Sequence, residues 1–295
     1  MSPKHSVFLT LTMIFLFAVF PAHSKGFTDD DLHGVGLWRG HKHVDSELFG
    51  DVQMIKLFYL FKERMQDDTH FEYDFFPIIN RIHKTIEKNA PKNAAAHNGV
   101  GHLELAKKIV KVSLCFGNDP YMVAAKLFME TRFDRSLTSP TGAVGFSQMT
   151  SIGIDEVNDQ FQNRGPDYAP RKNKKKFKKM IKCFLGDNSF ENMFEDKTIV
   201  KGARATKSSA TRSAAKKWIQ SSLDRDLIYG NLLLKTYAAA NYKEGRSIAN
   251  IYLAALGDYN GDTNISNGIM VKDRYAAFGL RLYDKISAVV VDEAI

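Results

Sequence analysis

Apolar side chains return every three or four positions through most of this chain, the interval that lines one face of a helix. From Val44 to Gln66 the stripe is Leu48, Val52, Ile55 and Tyr59; a second stripe of Phe75, Ile79, Ile82 and Ile86 stops at Asn89-Ala90-Pro91. These predict two amphipathic helices, with Phe58, Phe61, Phe75 and Phe76 as their core side. His102 to Cys115 predicts a third helix, closed by the turn Gly117-Asn118-Asp119-Pro120. Asp119 then reads as an N-cap and Pro120 as the first position of a short helix on which Val123, Leu127 and Glu130 share a face. Thr150 to Phe161 predicts another short helix. Asp224 to Asn241 follows the stripe Leu227, Asn231, Leu234 and Ala238, and Ile248 to Leu256 ends near Gly257. Tyr259-Asn260-Gly261 reads as a turn at a helix end, and Tyr275 to Val290 as the closing helix. The pattern predicts a mainly α protein, with at most a small β element near the loop from Ser139 to Gln148.

Two stretches depart from this periodicity. Residues 1 to 24 carry Lys4 and His5, an apolar run from Val7 to Phe20 and the small-residue site Ala22-His23-Ser24, which reads as a secretory signal too short to span a bilayer comfortably. The expected product is exported, periplasmic or secreted, with no membrane span. The other stretch, residues 163 to 217, holds the block Arg171-Lys172-Asn173-Lys174-Lys175-Lys176-Phe177-Lys178-Lys179 and accounts for much of the formal charge of +8. It reads as a surface insertion suited to an anionic cell wall. With little aromatic interleaving, in an exported chain, it does not favour nucleic acid as the partner. The domain reading is therefore a signal at 1 to 24, a flexible segment and helical extension at 25 to 100, and one domain at 101 to 295 carrying the insertion.

Metal chemistry finds little support. His33, His41 and His43 are irregularly spaced near the start of the mature chain, and Cys115 and Cys183 lack zinc-type spacing. Cys115 lies in an apolar run, where a buried small hydrophobe is the usual reading; export would permit a disulfide, and the spacing does not decide whether the two pair. No metal or cofactor is expected.

The candidate chemistry centres on Glu130. The helical period places it on the core side and near a helix C-terminus, where desolvation and the negative end of the helix dipole both favour the protonated carboxyl. That is the state of a general acid. Arg132 and Arg135 are the nearby charges that would oppose it.

Glu130-Thr131-Arg132-Phe133, followed by Ser139-Pro140-Thr141-Gly142-Ala143-Val144-Gly145-Phe146-Ser147-Gln148, resembles the signature of the soluble lytic transglycosylases, E-S/T-x-F and then S-x-x-G-A-x-G-L-M-Q. Asp226-Leu227-Ile228-Tyr229-Gly230 is similar to that family's N-L-x-x-G, and Asp258-Tyr259-Asn260-Gly261 to its A-Y-N-A-G. Lys272-Asp273-Arg274-Tyr275 is similar to its closing segment. The likeness runs from about Lys107 to Ile286 around the insertion. It implies a lysozyme-like catalytic domain that cleaves peptidoglycan glycan strands, with Glu130 as the single acid and base and the substrate's acetamido group as nucleophile; apart from the resemblance, a monomer is expected. It also implies that Ser139, Gly145, Gln148, Asp258, Tyr259, Asn260 and Tyr275 line the sugar site. The departures are Phe146-Ser147 for Leu-Met, Asp258 for Ala, and Asp262 after Gly261. They leave open a hydrolytic lysozyme, with Asp258 and Asp262 suited to a deacetylated, cationic sugar; a non-catalytic basic binder of cell wall or nucleic acid is the reading of another class, against which the complete acid segment at Glu130 argues.

Overall fold

The computed structural model describes residues 68–161, 174–186, 209–241, 248–266 and 269–289. The expected N-terminal signal, the three spaced histidines, the helix expected at 44 to 66 with Phe58 and Phe61, and much of the expected insertion lie outside them. The described chain is mainly helical: α1 (Asp68–Asn89), α2 (Ala94–Asn98), α3 (His102–Phe116), α4 (Pro120–Thr131), α5 (Ser151–Phe161), α6 (Lys174–Leu185), α7 (Ser209–Gln220), α8 (Leu223–Ala240), α9 (Ile248–Asn260) and α10 (Val271–Ser287). A two-stranded antiparallel hairpin, β1 (Ile265–Ser266) and β2 (Ile269–Met270), precedes α10. Among the described residues no helix is long and apolar enough to cross a membrane.

The centre is α8. Its residues from Asp226 to Thr236 are all buried, and it packs against α3, α5, α7 and α9. A central helix has no solvent face to keep, and its buried polar side chains are paired: Asp226 accepts the Phe146 amide and Asn231, Lys235 and Thr236 donate to backbone carbonyls. Around it, α4 and α9 both pack on α10. On α1, Phe71, Phe75, Ile78, Ile79, Ile82 and Ile86 are buried against α3 in one continuous core. The expected extension is thus, in its described part, a wall of the same body. Phe76 departs from the core reading: it is 43% exposed, one position off the buried stripe.

Helix boundaries follow local chemistry. Gly117 ends α3 in the left-handed region, φ 63°, where its missing Cβ avoids a clash, and Asp119 caps α4 by accepting from the Tyr121 and Met122 amides. The expected end of α9 at Gly257 is overrun by three residues. Gly257 meets open space with only the Lys272 carbonyl at van der Waals distance, so the helix continues through Asp258 and Tyr259 and stops at Gly261, φ 67°.

The basic segment needs correction where it is described. Lys174–Leu185 is an amphipathic helix whose Phe177, Met180, Ile181 and Phe184 are buried and pack toward α3, while Lys175 and Lys179 stay exposed. The apolar set spans one face at three- and four-residue spacing, and the density of lysine masked it. Cys183, on this helix, is bonded to Cys115 of α3. The segment is a structural clamp with a charged outer face, and Cys115 is a bonded residue.

Candidate active site

Glu130 sits in the last full turn of α4, partly open to solvent. The Tyr275 hydroxyl, carried in by α10, donates to its Oε1 at 2.5 Å. Burial pushes the Glu130 carboxyl above its ordinary value; the Lys126 ammonium and the Tyr275 hydrogen bond pull the other way without cancelling it. The expected opposition from Arg132 and Arg135 is not what the structure shows: Arg132 is exposed, and Arg135 acts on Asp226. The residue missed is Lys126, one helical turn before Glu130 and 1% exposed. Its spacing four residues from a carboxylate on an apolar face was the available signal. Burial holds Tyr275 well above the usual phenol value, and the neighbouring Glu130 charge adds to this, so it remains a neutral donor.

The turn after Glu130 is strained. Arg132 and Phe133 have φ of 51° and 63°, a region side chains with a Cβ rarely adopt. Buried Asn98, from α2, holds it: its Nδ2 donates to the Phe133 carbonyl at 2.8 Å and its Oδ1 accepts from the Arg135 amide at 3.0 Å. Asp134, Ser136 and His97 meet close by, a composition that invites a nucleophile reading. Both Ser136 Oγ and Asp134 Oδ1 approach the same ring nitrogen, Nδ1, at 3.0 Å, so no proton path runs through the ring. The cluster braces the turn.

The loop from Thr138 to Met149 forms the small β element expected there, with bridges from Val144 to Thr138 and to Met149. It rests on Asp226 of α8, whose carboxylate accepts the Phe146 amide at 2.7 Å and the Ser147 amide at 3.4 Å. Gly145 is required at this approach: φ is 76°, and a Cβ would lie 2.7 Å from the Asp226 carboxyl carbon. From the other side Lys216, on α7 within the supposed surface insertion, donates to the Gly142 carbonyl at 2.5 Å. The insertion therefore buttresses this loop.

Gly230 of α8 completes the approach. A Cβ there would overlap the Ser147 hydroxyl and lie 2.6 Å from the Ser147 Cβ. Gly230→Ala is expected to cost about 1–3 kcal/mol and to displace the loop. Thermal denaturation should show the loss, and pairing with Ser147→Gly, which vacates the contested space, should recover most of it; no loss in the single variant would contradict this packing.

Of the residues expected to line a sugar site, Glu130, Tyr259 and Tyr275 come together: Glu130 and Tyr259 each influence Tyr275 electrostatically. Tyr259 donates to the Ser147 carbonyl at 2.5 Å, and Lys126 Nζ lies 4.0 Å from the centre of its ring. Ser139 Oγ accepts from the Ala143 amide at 3.0 Å and contacts Thr141 Oγ1 at 2.8 Å, and Gln148 Nε2 donates to the Leu137 and Gly145 carbonyls. These two scaffold the loop. Asp258 is exposed and accepts from Asn241 at 2.6 Å, and Asn260 Oδ1 accepts from the Asp262 amide at 3.2 Å. The first bond ties α9 to the end of α8, and the second is a local turn bond of the kind Asn commonly forms.

Comparison with protein-family models, curated proteins and solved structures gives no match to this chain. Among the described residues no group of three or more His, Cys, Asp or Glu side chains is placed to hold a metal ion. A separate cleft lined by Phe71, Lys108, Lys111 and Phe184 shares no residue with the Glu130 site, and its Lys108 is paired with Asp224 at 2.9 Å.

Proposed function

We propose that this protein cleaves the glycan strands of peptidoglycan at the β-1,4 bond between N-acetylmuramic acid and N-acetylglucosamine, as a lytic transglycosylase with a lysozyme-like catalytic domain. The observation that carries the reading is the division of labour between two carboxyls. Glu130 is partly open, with a raised affinity for its proton, whereas Asp226, the other carboxyl of the constellation, is 0% exposed and bound to two loop amides. One carboxyl can meet a sugar; the other is spent on the loop. An enzyme that relied on a second carboxylate as nucleophile or base would need it open to the substrate.

The chemistry then follows the scheme implied by the sequence resemblance. Glu130 gives its proton to the glycosidic oxygen, the C1–O bond breaks with its electron pair going to that oxygen, and the acetamido carbonyl oxygen bonds to C1. The Glu130 carboxylate next takes the proton of the C6 hydroxyl, whose oxygen displaces the acetamido oxygen at C1 and leaves a 1,6-anhydro end. The leader-like N-terminus and the net charge of +8 support an exported enzyme working on an anionic wall.

Digestion of purified sacculi with the mature chain, read by mass spectrometry, tests this. Anhydro ends are expected. Reducing ends would move the reading to hydrolysis, and no released fragment would overturn glycan cleavage altogether.

A further inference from the structure

The buried lysine beneath Glu130 has no part in the scheme above. Lys126 and Glu130 lie one turn apart on α4, Asp226 on α8 acts on Lys126, and the Lys126 ammonium packs on the ring of Tyr259 from α9 at 4.0 Å. Room for this ammonium is made by Gly230, where an added Cβ would stand 3.4 Å from Nζ. Lysine is among the residues least often found fully buried unless it is paired, because leaving water costs its charge several kcal/mol.

We propose that Lys126 is a positioning residue for the reaction, its ammonium being the counter-charge that Glu130 meets when it gives up its proton. This rests on the reading of Glu130 as acid and base. Before transfer the trio of Glu130 acid, Lys126 ammonium and Asp226 carboxylate sums to zero. After transfer it carries one negative charge, opposite a glycosyl group that has become positive. Asp226 makes the buried ammonium tolerable, and the ammonium keeps the new Glu130 carboxylate from recapturing its proton before the C6 hydroxyl arrives.

All groups facing Glu130 bear on this balance. Lys126 from α4 and Tyr275 from α10 act on it directly, and Tyr259 from α9 feels its charge. Asp226 acts on Lys126 and Tyr259, and Arg135, in the turn after α4, acts on Asp226. Burial lowers Lys126 to about 8 and raises Asp226 to about 6, so the pair is ionised on both sides between those values.

The test is the titration of Glu130 itself, read by carbon NMR of the side-chain carboxyl in the full mature chain and assigned by its disappearance in Glu130→Gln. In Lys126→Met the midpoint should move upward by at least about half a pH unit, because the favourable charge beside the carboxylate is gone. The double variant Lys126→Met with Asp226→Asn removes both buried charges together, a change that folded proteins often tolerate, and guards against a misfolded single variant. It should also show an upward movement, smaller than in the single variant because loss of the Asp226 charge offsets part of it. On sacculi, the alkaline limb of activity should shift to higher pH in step. An unchanged Glu130 midpoint in a folded variant overturns the role of Lys126 even if wild type cleaves glycan. A shifted midpoint in a protein that cleaves nothing upholds the electrostatic role and overturns the proposed function instead.

Discussion

Glu130→Gln is expected to lower glycan cleavage by about a hundred- to ten-thousandfold while leaving the fold intact. The amide has nearly the shape of the carboxyl, and its oxygen can still accept from Tyr275, which donates to Oε1 at 2.5 Å. What it cannot do is release a proton to the glycosidic oxygen or take one from the C6 hydroxyl. No other carboxyl in the constellation can stand in, since Asp226 is fully buried under the Phe146 and Ser147 amides. Fragment release from sacculi measures the loss and circular dichroism checks the fold. A folded variant that keeps more than about a tenth of wild-type activity would remove Glu130 from the acid role.

The second large effect concerns stability. Cys115 and Cys183 close a loop with a sequence separation of 68 and tie α6 to α3. In the chain-entropy picture, opening a loop of that length costs about 4 kcal/mol, because the unfolded chain regains the freedom that the bond withheld. Replacing both by alanine should therefore lower Tm by roughly 8–16 °C for a chain of this size. Calorimetry on the double variant, beside the wild type with and without a strong reductant, measures it. An unchanged Tm would mean that the burial of Phe177, Ile181 and Phe184 holds α6 in place without the bond.

Helix positions were readable because burial here follows simple periods. Phe75, Ile79, Ile82 and Ile86 all lie in the core, and Asp119 caps α4 through its side chain. The elements misread were those in which one signal drowned another. Lysine density around Phe177 hid an apolar helical face, and the turn character of Asn and Gly drew the end of α9 too early. The hairpin from Ile265 to Met270 went unread, although Asn267-Gly268 in the sequence between them is a strong two-residue turn signal. The placement of Glu130 in the last turn of α4, ahead of a loop, was legible from the helical period. The commitments of Ser139, Gln148 and Asn260 to their own turns were not, because a polar side chain's partner is a three-dimensional fact that no spacing contains. For Lys126 the four-residue spacing from Glu130 could mark a pair but not its burial, which Asp226, 100 positions away, and the bare backbone of Gly230 explain.

The hydrogen bond between Glu130 and Tyr275 joins positions 145 apart. A chain emerging from its N-terminus presents Glu130 long before the helix that carries Tyr275 exists, and contacts of such range form only after the loop-closure entropy between them has been overcome. The carboxyl's surroundings, and with them its proton affinity, are assembled by the docking of α10 on α4 and α9. A nascent or partly folded chain therefore carries Glu130 in an ordinary aqueous setting until the helix bearing Tyr275, made 145 positions later, has docked.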